Sequence, residues 1–218
     1  YLYNMVLYND ALYVADSSSS KIHKVSNIRG TPSVTTVATV GGVRGIAFDS
    51  QGRMYASGDS GKIYRYNADF SNKTHVAGAN PGSGTTDINE TNPFNIKVEG
   101  HSDIVIDSND NVYFVDSFYN GVRRLNPDNT VTAIVGDGSA GNASTLGPFP
   151  SEDLLSVRIE SIRGLSIDAD GNMYMTSNQR NHLYKLIAGD PVSKLTGTPS
   201  AGDEGYHPVT LVANDGQM

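Results

Sequence analysis

"GLSIDADGNMYMTS", residues 164–177, decides how the rest of the chain is read. Apolar residues alternate on both sides of an Asp-Gly step, and a tyrosine follows three residues later. Two short alternating runs about Asp, Asn and Gly form the signature of a tight antiparallel hairpin. The phrase recurs as "GIAFDSQGRMYASG" from Gly45, as "DIVIDSNDNVYFVD" from Asp103 and, about one residue shorter at the turn, as "YNMVLYNDALYVAD" from Tyr3. Tyr13, Tyr55, Tyr113 and Tyr174 fall in one column.

Each hairpin is followed by two further runs. The first is "KIHKV" from Lys21, "KIYRY" from Lys62, "GVRRL" from Gly121 and "HLYKL" from His182, and the second is "SVTTVAT", "KTHVAG", "TVTAIVG" and "VSKLTG". Four strands per unit, repeated, predict an all-β β-propeller of four-stranded antiparallel blades, because radial stacking of twisted sheets covers both faces of each and leaves only short edges. The expected blades span 3–39, 43–78, 101–136 and 162–197 of one incomplete propeller domain, 1–218. "VTLVANDGQM" repeats the opening of the phrase, so 208–218 is expected to begin a fifth blade. An arc of blades with uncovered ends predicts a tendency to self-associate.

Composition agrees with this reading. Hydrophobic residues make up 38% and charged residues 18% of 218, there are 23 glycines for turns, and no window carries a long helical period. A formal charge of −7 with dispersed Lys and Arg argues against a nucleic-acid partner. There is no 18-residue apolar run to span a membrane and no cysteine for disulfides or thiolate metal sites. The sequons at Asn72, Asn89 and Asn142 are no more than an Asn-rich chain shows by chance.

"DIVIDSNDNVYFVDSFYNGVRRLNPD" and "GLSIDADGNMYMTSNQRNHLYKL" resemble NHL repeats, as do the Gly-rich connectors "VGDGSAGNASTLGPFPSEDLLSVRIES" and "LTGTPSAGDEG". The resemblance covers nearly the whole chain. It departs where the strand-ending Asp, present as Asp16 and Asp116, gives way to Gly58 and Ser177. It implies a bacterial-type propeller of six blades, secreted or at the cell surface, serving as a binding module or as a structural subunit of a surface assembly. Some NHL-like propellers resemble peptidyl-α-hydroxyglycine amidating lyases, which implies the enzymatic alternative: a lyase or hydrolase with its site at the central channel.

Several motifs have structural readings. "GDGSAG", 136–141, matches a dinucleotide fingerprint but runs on to Pro148 and Pro150 instead of opening a helix. "GDSG", 58–61, spells a serine-protease tetrapeptide, yet it aligns with the turn "DSSS" and no histidine has a claim to serve Ser60. "DADGN" and "DSNDN" lack the closing Glu of a calcium loop, so Asp49, Asp107 and Asp168 are expected to accept turn amides. No cofactor or metal is expected, and no catalytic set.

The candidate site comes from the topology. A propeller gathers the starts of its innermost strands around one channel, and in that column stand Arg44 and Arg163, each before a glycine, with His101 and Ser102 in the third unit and His207 and Pro208 in the fifth. Cationic side chains at one mouth of an acidic protein favour an anionic ligand. Ion pairs with Asp103 or Glu160 are the structural alternative. The connectors 79–99, 137–160 and 198–206 leave the fourth strands toward the same face. The expected partner there is a protein, a glycan or a small anionic ligand.

Overall fold

The structure is a computed structural model. It describes all residues except 59–60, 81–82, 86, 99–102, 117–119, 139–153, 158, 160–161, 178–181, 188–193, 196–210 and 213–218. Four sheets follow one another along the chain, antiparallel except for one pair in the fourth. The first is β1 (Leu2–Tyr8), β2 (Ala11–Asp16), β3 (Lys21–Ser26) and β4 (Ser33–Thr39). The second is β5 (Ile46–Phe48), β6 (Met54–Ser57), β7 (Ile63–Tyr66) and β8 (Thr74–Ala77). The third is β9 (Ile104–Ile106), β10 (Val112–Asp116), β11 (Gly121–Leu125) and β12 (Val131–Val135). The fourth holds β13 (Ile162–Ile167), β14 (Met173–Ser177), β15 (His182–Ile187), β16 (Lys194–Leu195) and β17 (Leu211–Val212).

The tyrosine column lies on the second strand of every blade, and all four repeated runs fall on the strands expected of them. One element departs from expectation. Leu211–Val212 pairs in parallel with β15 and antiparallel with β16, inside the fourth sheet, where its strand order is β13-β14-β15-β17-β16. A two-residue strand takes whichever ladder edge is open to it, and its neighbour is not written in its own alternation. The rest of 208–218 lies outside the described residues.

Alternation explains why the sheets stack. In β6, Met54 and Ala56 join a core with Ala15, Ile22 and Ala38 of the first blade, while Tyr55 faces Ile104, Val112 and Phe114 of the third. In β10 the odd and even residues divide likewise, with Tyr113 and Val115 packing on Ile162, Met173 and Met175 of the fourth blade. Each central strand therefore serves two cores, one per face. The first strands lie innermost: Val6, Ile46, Ile104 and Ile167, one from each blade, border a single cavity of about 230 Å³.

The hairpin turns depend on their aspartates as the sequence predicts. Oδ1 of Asp107 accepts the amides of Asn109 and Asn111, both at 2.9 Å, and Oδ2 accepts the Asn111 side chain at 2.8 Å. Asp168 does the same with Asp170 and Asn172, and Asp49 with Gln51 and Arg53. The tyrosine column closes two of these cages, Tyr113 to Asp107 at 3.2 Å and Tyr174 to Asp168 at 3.0 Å.

The outward face of the first blade carries exposed apolar side chains. Met5, Leu7 and Val34 are 62, 65 and 64% exposed. Among the described residues no helix is long and apolar enough to cross a membrane.

Candidate functional site

Antiparallel order places the starts of the first and third strands and the ends of the second and fourth at one face of each blade. Backbone irregularity aims the site residues there. Register shifts between Ile162 and Gly164, and between Leu2 and Asn4, leave Arg163 and Tyr3 as the extra residues of β-bulges, which turn a side chain out of the ladder. Arg44 stands just before β5, its amide bonded to the Ser57 carbonyl at 3.0 Å. The glycine after Arg163 is crowded from across the ladder, and both glycine amides find side-chain acceptors there. The Gly45 and Gly164 amides donate to the hydroxyls of Ser57 (2.9 Å) and Thr176 (3.0 Å), and a Cβ on Gly164 would lie 2.8 Å from the Thr176 oxygen.

Arg44 and Arg163, paired by sequence alone, border one cavity of about 50 Å³ together with Tyr3, Asn4 and Asp103. The volume suits one carboxylate-sized group and not a whole ligand. The Arg44 guanidinium carbon lies 4.5 Å from the Tyr3 ring centroid, and its Nε and Nη1 are shielded from solvent without a hydrogen-bond acceptor among the described residues. His101, Ser102, Glu160, His207 and Pro208 lie outside the described residues.

Asp103 is committed elsewhere than to Arg44. Its Oδ1 accepts the Asn4 side chain and the Ile104 amide, and its Oδ2 the Leu165 amide, all at 3.0 Å. One carboxylate thereby ties the first strands of blades one, three and four. Burial pushes its pKa up, against the pull of the Leu165 and Ile104 amides. Among the described residues no three His, Asp or Glu side chains are grouped to hold a metal.

The connectors do more than decorate this face. Ile96 and Val98 are buried between the second and third blades, and Val157 and Ile159 between the third and fourth. The segment 79–98 is braced by bonds of Ala79 to Ile96, Thr85 to Asn95 and Lys97 to Thr85. Expected as recognition loops, these stretches are in part wedges that complete the inter-blade cores. Sequence reasoning also missed Tyr3 and Asn4, although aligning Tyr3 with Arg44 places Tyr3 in the arginine column and Asn4 in the next, beside Asp103.

The family model for strictosidine synthase-like proteins, N-terminal, matches residues 45–66, which are the first three strands of the second blade. None of the curated proteins compared with the chain matches it. Among solved structures the chain is similar to an auxiliary nutrient binding protein from Bacteroides ovatus, with a TM-score of 0.60 at 12% identity over 97% of this chain and 50% of that one. It is also similar to a gluconolactonase from Xanthomonas campestris (0.53, 11%, 81% and 54%) and to a catalytically inactive virginiamycin B lyase from Staphylococcus aureus solved with quinupristin (0.51, 11%, 89% and 58%). The chain spans about half the length of these structures. At such identities the likeness carries the fold alone, and the fold is a β-propeller.

Proposed function

We propose that this NHL-like propeller is a binding module, on a cell surface or outside the cell, that receives an anionic group of a protein, glycan or small ligand at the channel mouth formed by Arg44 and Arg163. The observation that carries the reading is Arg44, which holds two solvent-shielded guanidinium nitrogens without an acceptor among the described residues, beside a cavity bordered by a second arginine. An uncompensated buried charge costs several kcal/mol, so an anion that supplies the missing acceptors gains correspondingly. The likeness to a nutrient binding protein is in keeping with this role; the gluconolactonase and the lyase show that the same fold also hosts enzymes. The exposed apolar side chains Met5, Leu7 and Val34 of the first blade favour self-association through that face.

The test is an array of acidic and neutral glycans and peptides, followed by titration of the best binder into Arg44→Ala/Arg163→Ala. Affinity is expected to fall at least about tenfold with the thermal midpoint held, as for loss of a charge-assisted contact. Unchanged affinity rejects the site. Stoichiometric zinc that disappears in His101→Ala would instead favour the enzymatic reading.

A further inference from the structure

The repeat places the same turn in two blades with different residues at its tip. In residues 67–71 and 126–130 the third residue is an aspartate that accepts the amide two positions on, and the fourth takes a left-handed backbone, with φ +63° at Phe70 and +62° at Asn129. Asn67 bonds to Ser71 as Asn126 bonds to Thr130. Phe70 therefore corresponds to Asn129.

The consequence appears in the grooves that these residues face. Between blades one and two, Phe70 packs against Tyr13 with centroids 5.8 Å apart and against Phe48 at 6.5 Å, while Phe48 stacks on Tyr8 at 4.3 Å. That groove is filled by aromatic rings. Between blades two and three, Asn129 borders a cavity of about 260 Å³ walled by Tyr55, the counterpart of Tyr13. The cavity opens by the hairpin turns, on the face opposite to Arg44.

Its chemistry is specific. Arg65 borders it and, among the described residues, has neither hydrogen-bond nor ion-pair partner, whereas its counterpart Lys24 lies over the Tyr13 ring at 5.8 Å. The other charges there are engaged: Arg53 Nε with Asp49 at 2.5 Å, and both oxygens of Asp110 with the amide and hydroxyl of Ser50. Gln51, Asn109 and Asn129 add amides suited to hydroxyl groups, over a floor of Val76 and Leu125. One uncommitted guanidinium suits a single negative charge, and the space suits one ring.

We infer that the groove between blades two and three is a second ligand site, for a sugar carboxylate of hexuronate type, its carboxylate on Arg65 and its hydroxyls on the amides. A phosphate dianion fits less well, because a second negative charge would face Asp110 without a second free cation.

Calorimetric titration with D-glucuronate, and with D-glucose as the neutral comparison, tests the inference. Glucuronate should bind about tenfold or more tightly than glucose, and Arg65→Gln should remove most of that difference. Asn129→Phe restores the residue that closes the neighbouring groove, on a backbone where Phe70 already sits, and should abolish binding of both. No uptake of glucuronate at millimolar concentration, or undiminished binding by Asn129→Phe, overturns the assignment. If Asn129→Phe does not fold, Arg65→Gln decides alone, and unchanged preference for glucuronate overturns it.

Discussion

Arg123 and Asp116, on adjacent strands of the third blade, form an ion pair of 2.9 Å in which both side chains are 1% exposed. The guanidinium also donates to the Asp87 carbonyl at 3.2 Å and the Ile88 carbonyl at 3.4 Å, binding the blade to the connector outside it. In the first blade the same two positions hold His23 and Asp16, 3.8 Å apart and partly exposed. Arg123→Ala would remove the cation from beside a buried carboxylate and is expected to cost about 3–5 kcal/mol, read from urea unfolding, whereas Arg123→Met with Asp116→Leu should recover most of it. Equal losses from the single and double variants would show that the ion pair itself stabilises the blade.

Gly78 follows the fourth strand of the second blade at φ +94°, and a Cβ there would lie 1.8 Å from the Gly61 carbonyl oxygen. Gly136 is its counterpart in the third blade, at φ +110°, where a Cβ would lie 2.6 Å from the Asn120 carbonyl oxygen. Neither obstacle is a flexible side chain. Gly78→Ala is expected to cost about 3 kcal/mol or more and to reduce the yield of folded protein. A thermal midpoint equal to that of the parent would refute the close approach.

Hydrogen bonds from the Asn172 side chain and amide, with Tyr174 and Asp170 adding to them, hold Asp168 below the usual carboxylate pKa. A lowered folded pKa adds stability above the unfolded value of about 3.9, and that stability is lost as pH falls through the folded value. Asp103, raised by burial, acts with the opposite sign: its penalty is absent at low pH and grows as pH rises through its folded pKa. The gap in thermal midpoint between the parent and Asp168→Ala should therefore narrow as pH drops from about 5 to about 2. A gap independent of pH would mean that the carboxylate charge plays no part in the turn.

What the sequence made legible is what is local. Period-two runs and Asx turns are set by neighbours in the chain, so all four hairpins and the tyrosine column could be read from it, whereas the shared column of Arg44 and Arg163 comes from the repeat and its topology. In "GVRRL" alternation sends one arginine inward and the other outward, and nothing local says that Arg123 is the buried one. Ile96 and Val157 look like loop residues because the cores they enter are built by strands far away in sequence. Leu211–Val212 carries the opening pattern of a blade, but its ladder partners are chosen by an open edge.

That the opening strands converge on one axis is tested most directly by a double-mutant cycle on Asn4 and Asp103, which lie 99 positions apart in the chain and 3.0 Å apart in space. Asn4→Ala, Asp103→Ala and the double variant are compared by urea unfolding. A coupling energy of about 1 kcal/mol is expected for a partly buried, charge-assisted hydrogen bond. Additivity within about 0.3 kcal/mol would contradict it, because residues that do not meet do not couple.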